Sequence, residues 1–329
     1  MKDTILFGDC KDTLSEFLPQ SARTCVTSPP YYGLRDYGTA TWVGGDPNCN
    51  HRRDTKVNPK NCITGHKNHD EMAGVGDAIY KTVCPKCGAI RQDSQIGLEE
   101  TPEEYIENLV NVFRGVWDVL TDDGTLWVNL GDSYYNYRPG KGQSYPKQSV
   151  SKTKQDLPDN CNKRGNKLDG LKEKDLIGIP WMFAFAMRKD GWYLRQDIIW
   201  HKPNPMPESV RDRCTKSHEY IFLLSKSQNY YLDVDAIKEP TRRKRSVLTV
   251  NNKPYRGAHF AVFPPDLIEP CIKAGSREGD IVLDPFMGSG TTAMVAKSLK
   301  RYYMGCELHE EYGDLMQERV PLDVVAISS

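Results

Sequence analysis

The chain has 329 residues with 44 basic and 44 acidic side chains, so its net charge is zero, and it carries ten cysteines. That length suits one large α/β body with insertions. No apolar run approaches the roughly 18 residues that would cross a bilayer, and Ile5-Leu6-Phe7 is too short for a signal-peptide core, which leads us to expect a soluble, cytoplasmic protein; its cysteines are then expected as thiols, some binding metal, and not as a disulfide framework.

In chain order, Thr4 to Phe7 predicts a strand, Lys11 to Leu18 a helix, and Thr24-Cys25-Val26 a second strand that runs into Thr27-Ser28-Pro29-Pro30-Tyr31-Tyr32. Strand, helix and strand in this order predict a parallel sheet. Gly44 to Gly97 is rich in Gly, Asn, His and Cys and has little hydrophobic period, so something other than apolar burial should hold it. Thr101-Pro102-Glu103-Glu104 is a helix start, with Thr as cap, Pro at the first position and Glu three residues after the cap. Tyr105, Leu109, Val112, Phe113, Val116, Val119 and Leu120 share one face of that helix. Asp122-Asp123-Gly124 is expected to end it, and Thr125 to Leu130 to follow as a buried strand. A long, polar, mobile loop is expected over 133–175. Then come a helix from Pro180 to Arg188, a strand from Tyr193 to Trp200, a break at Lys202-Pro203-Asn204-Pro205-Met206-Pro207, and a strand from Glu219 to Leu224. The last elements are a helix over Pro265 to Ala274, a strand at Ile281 to Leu283, a glycine turn, a helix over Thr291 to Leu299 and a strand at Tyr302 to Cys306.

Asp284-Pro285-Phe286-Met287-Gly288-Ser289-Gly290-Thr291-Thr292 lies between a strand and a helix, where glycines let a backbone approach a ligand at the helix N-terminus. Glu307 ends the next strand, where a carboxylate can accept hydrogen bonds from both hydroxyls of a ribose. Gly288-Ser-Gly290-Thr-Thr-Ala293 also satisfies the G-x-G-x-x-A dinucleotide pattern, but too little chain follows it for the second half of a dinucleotide fold. No G-x-x-x-x-G-K-[ST] is present, which disfavours ATP chemistry.

Ser28-Pro29-Pro30-Tyr31 follows a buried strand and so sits where open α/β sheets place their ligand crevice. The amino group of cytosine or adenine is a poor nucleophile because its lone pair is delocalised into the ring. A rigid acceptor pair, the Ser28 hydroxyl and the Pro29 carbonyl, could take both amino hydrogens and aim that lone pair at a sulfonium methyl group. Tyr31 offers a face on which a flipped base could stack.

With both motifs present, the sequence resembles the β-class amino-methyltransferases of DNA, the N4-cytosine/N6-adenine enzymes, in which the catalytic motif comes first and the glycine motif last. The resemblance implies a Rossmann-like, S-adenosylmethionine-dependent methyltransferase fold: a mostly parallel sheet with helices on both faces and a circularly permuted motif order. It implies Ser28, Pro29, Pro30 and Tyr31 as catalytic. As cofactor-binding it implies Asp9, Thr27, Phe263, Pro264, Asp284, Phe286, Gly288, Ser289, Gly290, Thr291 and Glu307. Gly124 to Asp132 and Trp200 to Pro207 also look like family segments. A homodimer and a cognate restriction endonuclease are further expectations. Serine at the first catalytic position favours N4 of cytosine over N6 of adenine. Pro270-Cys271 has the order that a C5-cytosine mechanism needs, but it falls in a predicted helix and reads as packing. A non-catalytic DNA-binding protein of this fold, or methylation of RNA or of a protein amide, are the other readings.

Cys84-Pro-Lys-Cys87-Gly88 has the spacing of a thiolate knuckle, and Cys49 and His51 in the same insertion complete a Cys3His structural zinc set, with Cys62, His66 and His69 as competing ligands. Charge is uneven along the chain: Arg138 to Lys174 holds ten Lys/Arg against four Asp/Glu, and His201 to Phe260 twelve against six. Such stretches suit double-stranded DNA as partner, with Arg242, Arg243, Lys244 and Arg245 on phosphates. The expected layout is a catalytic domain over 1–43, 98–202 and 259–329, a zinc-knuckle-like insertion over 44–97 and a target-recognition region over 203–258.

Overall fold

Thr4–Phe7 (β1) is buried along its whole length and pairs in parallel on both sides, as an unbroken apolar run should when both faces of a sheet are covered. In the computed structural model, which describes residues 1–33, 39–51, 80, 83–135, 168–252, 263–320 and, for backbone alone, 324–326, two units are distinct. The first is built from Met1–Arg35, Ile96–Tyr134 and Asp175–Ser329, the second from Asp36–Gln95 and Tyr135–Lys174. The expected loop over 133–175 lies largely outside the described residues.

The first unit contains a nine-stranded sheet. Besides β1 it holds β2 (Ala22–Thr27), β5 (Leu120–Leu130), β6 (Tyr193–His201), β7 (His218–Ser225), β8 (Val247–Thr249), β9 (Ile281–Asp284), β10 (Tyr302–Glu307) and β11 (Val324–Ala326). Their order is β11-β1-β10-β9-β2-β5-β7-β6-β8, parallel except that β7 runs against both β5 and β6. Side chains alternate between two cores with the period of two that a strand imposes. Cys25, Leu126, Val128, Phe222, Leu224, Leu283 and Met304 face one core. Val26, Trp127, Ile221, Leu223, Val282 and Tyr303 face the other. The first core is closed by α1 (Cys10–Thr13), α2 (Pro102–Val119) and α3 (Ile179–Lys189), the second by α4 (Pro265–Gly275), α5 (Thr291–Ser298) and α6 (Tyr312–Arg319). The result is the expected α/β fold, helices on both faces of a mostly parallel sheet.

Helix α2 begins as its sequence requires: Thr101 Oγ1 accepts from the Glu104 amide at 3.2 Å, and the Glu104 carboxylate accepts from the Thr101 amide at 3.3 Å. Two boundaries differ from expectation. Asp122-Asp123-Gly124 does not end α2, which stops at Val119, but lies inside β5. Leu120 already pairs with Ala22 of β2, a register shift between Ala22 and Thr24 absorbs the extra residues, and Asp123 forms an ion pair with Arg23. The first helix is also shorter than expected: α1 covers one turn, capped by Asp9, and a 3-10 turn follows over Leu14–Glu16.

In the second unit, β3 (Thr41–Val43) and β4 (Ile90–Gln92) form an antiparallel pair in which Trp42 opposes Arg91.

Candidate active site

The strand order joins what the chain separates. β9 lies between β10 and β2, so the C-terminal ends of β1, β10, β9, β2 and β5 stand in a row carrying Asp9, Glu307, Asp284, Thr27-Ser28 and Asn129. At the centre, Thr27 Oγ1 donates to Asp284 Oδ1 at 2.6 Å, and Thr292 Oγ1 donates to Oδ2 at 2.6 Å. The Phe286 amide adds a third bond, to Oδ1 at 3.0 Å. Both oxygens of this buried carboxylate are therefore taken. Burial pushes its pKa up to about 6, and the three donors resist that rise. Thr27 and Asp284 thus form an internal joint between the loop after β2 and the glycine turn.

Within the turn, Gly288 and Gly290 have φ of 55° and 78°, in the region that disfavours side chains. A Cβ on Gly290 would stand 3.3 Å from Met316 Cγ of α6. Glu307 accepts from the Gly288 amide at 2.7 Å and from the His309 amide at 2.9 Å; it is nearly buried, and desolvation lifts its carboxyl to about 7. Ser289 and Thr291 are buried, and both hydroxyls are engaged by Arg319 of α6, which also donates to the Ser289 carbonyl at 3.0 Å. Asp9 caps α1 through a bond from the Lys11 amide at 3.0 Å, beside Gly8, whose amide donates to the Glu307 carbonyl at 2.9 Å. Pro264 is the N-cap of α4, and Phe263, partly buried, packs against the core that contains Met287 and Ala293.

The Ser28 loop is braced from several sides. Tyr105 of α2, fully buried, donates its hydroxyl to the Pro30 carbonyl at 2.8 Å. The Gly33 amide donates to the Gly97 carbonyl at 2.8 Å. Tyr31 Oη donates to Glu219 Oε2 at 2.8 Å and lies 3.1 Å from Asn129 Oδ1; burial and the Glu219 charge hold this phenol well above its ordinary range. The Tyr31 ring lies so close to Gly131 that a Cβ there would come within 2.5 Å of it. Ser28 Oγ lies 3.4 Å from Asn129 Oδ1 and is only half-buried.

A buried acid at the strand end, a glycine turn at a helix N-terminus and a stiffened S-P-P-Y loop fit an adenosyl cofactor and a planar acceptor. Residues 22–318 match the DNA methylase family of N6 and N4 enzymes. The chain belongs to the N4-cytosine/N6-adenine family of DNA amino-methyltransferases. Among its relatives is the Type II methyltransferase M.SmaI of Serratia marcescens, 42% identical over 96% of this chain and 90% of that protein. M.Cfr9I of Citrobacter freundii is 41% identical over 96% of this chain and 87% of its own length. In fold, the chain is similar to the PvuII DNA methyltransferase (cytosine-N4-specific), with TM-score 0.60 at 16% identity, covering 99% of this chain and 90% of that one. It is similar also to a Thermus thermophilus DNA modification methylase complexed with S-adenosyl-L-methionine, with TM-score 0.55 at 20% identity, covering 96% of this chain and 92% of that one. This chain is thus an S-adenosylmethionine-dependent DNA methyltransferase.

Several residues of the methyltransferase's site had no sequence signal of their own. Asn129 could have been marked as the lone amide in the apolar run Thr125 to Leu130, and Tyr105 as a buried phenol that must find a partner. Lys202, which forms an ion pair with Glu219, falls in the Trp200 to Pro207 segment, whereas Glu219 and Arg319 offered no such clue. Cys271 is buried in α4 with its thiol pushed up to about 12 by desolvation, as a packing residue would be. Arg242, Arg243, Lys244 and Arg245 are exposed just before the edge strand β8, and Arg242 pairs with Glu239. No helix among the described residues is long and apolar enough to cross a membrane.

In the second unit, the candidate ligand atoms of Cys49, His51, Cys84 and Cys87 all lie within 4.8 Å of one another. Cys49 Sγ is 3.8 Å from Cys84 Sγ, and Cys87 Sγ is 3.5 Å from His51 Nδ1. A tetrahedron with bonds of about 2.3 Å to sulfur and about 2.0 Å to nitrogen has edges of about 3.8 Å and about 3.5 Å, the lengths of these two contacts, and three thiols with one imidazole are a donor set that suits zinc. Trp42 stacks on the His51 ring at 4.3 Å, which holds the imidazole in place. Cys62, His66 and His69 lie outside the described residues.

Proposed function

We propose that this methyltransferase modifies N4 of cytosine in double-stranded DNA, with the base flipped out of the duplex and held by the loop from Ser28 to Tyr31. The observation that carries the reading is the Thr27 to Asp284 bond, which sets that loop directly against the glycine turn. When bound there, S-adenosylmethionine supplies an electrophilic methyl group on a sulfonium. Glu307 and the turn from Phe286 to Thr291 would hold it, with Asp9, Phe263 and Pro264 as the further residues that would contact it. Ser28 Oγ and the Pro29 carbonyl accept the two amino hydrogens, which orients the nitrogen lone pair towards the methyl group. The Tyr31 ring supports the extruded base, its own hydroxyl tied back to Glu219.

Serine at position 28 is the residue commoner in the cytosine enzymes of this family, and this favours N4 of cytosine over N6 of adenine. Arg242 to Arg245 contact phosphates. The insertion binds one structural zinc through Cys49, His51, Cys84 and Cys87, a reading supported by the gathering of four ligand atoms within 4.8 Å and by two edges of tetrahedral length. The relatives are named Type II methyltransferases, and by analogy this enzyme is paired with a restriction endonuclease that reads the same sequence. The test is to incubate the enzyme with unmodified DNA and S-adenosylmethionine, digest to nucleosides and identify the product by mass spectrometry. N4-methylcytosine is expected, and N6-methyladenine without N4-methylcytosine would overturn the choice of base.

A further inference from the structure

A serine hydroxyl that accepts an amino hydrogen must keep its lone pairs free, yet it carries a proton of its own that can rotate into the same space. What fixes that proton is legible in the groups behind Ser28. Asn129 is buried, with 3% of its surface exposed, and its amide could in principle face either way. Its Nδ2 lies 3.1 Å from the Tyr220 carbonyl and 3.4 Å from Glu219 Oε2. A carbonyl and a carboxylate accept only, so Nδ2 must occupy that side. Oδ1 is left facing Ser28 at 3.4 Å and Tyr31 at 3.1 Å, and an amide oxygen accepts only. The Ser28 proton is then drawn towards Asn129, and the Ser28 lone pairs point away from it.

The carboxylate of Glu219 reinforces the polarity that the Tyr220 carbonyl sets. It is held by an ion pair with Lys202, whose ammonium also stands 4.0 Å over the Trp200 ring. Both side chains of the pair are 16% exposed, so the carboxylate is largely shielded from solvent. Because Glu219 Oε2 also takes the Tyr31 proton at 2.8 Å, one carboxylate orders the donors of Tyr31 and Asn129 together.

We infer that Asn129 and Glu219 are positioning residues that set Ser28 as a hydrogen-bond acceptor, by directing its hydroxyl proton away from the target amino group. This rests on the role proposed for Ser28. A neutral amide in place of Glu219 would add a donor beside Nδ2 and leave the Tyr220 carbonyl alone to hold the Asn129 orientation, which weakens that preference. A fraction of molecules would then present the Ser28 proton, and not its lone pair, to the base.

The test compares Glu219→Gln and Asn129→Leu with the unaltered enzyme in single-turnover methyl transfer from tritiated S-adenosylmethionine, with the dissociation constants for cofactor and DNA and the thermal midpoint measured alongside. The single-turnover rate is expected to fall about 10- to 100-fold in each variant, with both dissociation constants within about twofold of the original. In a Ser28→Ala background, where no hydroxyl remains to orient, Glu219→Gln is expected to cause no further loss. An unchanged rate in a folded Glu219→Gln enzyme would overturn the inference, as would an equal loss in the Ser28→Ala background. Should Glu219→Gln not fold, Asn129→Leu carries the same comparison. If Ser28→Ala alone keeps the full rate, it is the role of Ser28 itself that fails, which separates the two readings.

Discussion

The nine-stranded unit buries Phe113, Phe183 and Phe222 completely, each packed between helices and sheet, whereas the described residues 39–95 bury only Cys84 and Ala89 among their apolar side chains. Where the first unit has two cores divided by a sheet, the insertion has a three-residue strand pair and four ligand atoms within 4.8 Å of one another. The difference is one of mechanism. Apolar burial needs a long sequence of matched elements, while a closed metal site can hold a short, polar segment with four side chains. It also predicts that the two units fail independently.

The largest effect should come from the zinc proposed for the insertion. Structural zinc sites of this type contribute roughly 10–16 kcal/mol of apparent binding energy at neutral pH. Chelation, or Cys84→Ser with Cys87→Ser, is expected to remove one zinc per chain and to expose residues 39–51 and 83–95 to protease, with the sheet's far-ultraviolet dichroism retained. Loss of the sheet signal together with the metal would erase the distinction between the units. The converse experiment is a cavity in the sheet unit. Phe113→Ala is expected to cost about 3–5 kcal/mol in denaturant unfolding while leaving zinc content unchanged.

A smaller effect should follow from the joint that links the two loops of the first unit. Asp284→Asn turns one acceptor oxygen into a donor between Thr27 and Thr292, both of which already donate. It is expected to cost about 1–3 kcal/mol and to lower methyl transfer, measured by thermal melting and by tritium incorporation.

The smallest effect concerns protonation. Glu307 sits at about 7 in the folded protein, above its ordinary 4.5, because burial disfavours its charge. A raised carboxyl favours the folded state while neutral, and that contribution is lost as pH rises from about 4.5 through about 7. In the proposed site the ribose hydroxyls would donate to the ionised form, so cofactor affinity should tighten as pH rises through about 7 and weaken by up to about tenfold per unit below it. Glu307→Gln should flatten that dependence in a binding titration.

Much of this was legible in the sequence, for reasons that differ by region. Unbroken apolar runs such as Thr4 to Phe7, the Thr101 to Glu104 cap and the glycine turn are local patterns, and the fold places them as strand, helix start and turn. The knuckle spacing at Cys84 and Cys87 likewise picked out residues that the chain gathers with Cys49 and His51. Contacts made at long range left no such trace. The Asp122-Asp123-Gly124 run resembles a helix stop, and only its pairing with β2 shows it to be strand. β8 is three residues long and follows a basic run, so its pairing with β6 had no period to reveal it. In the site, Arg319 reaches Ser289 across 30 residues, and Glu219 reaches Tyr31 across 188. Those side chains act through partners that no local window contains.

The account centres on Ser28 as the group that prepares the amino nitrogen. The most direct measurement is single-turnover methyl transfer by Ser28→Ala, with binding of DNA and S-adenosylmethionine measured on the same protein. The expected result is a rate lower by at least about 100-fold with both affinities retained. Methyl transfer at the original rate would contradict the account.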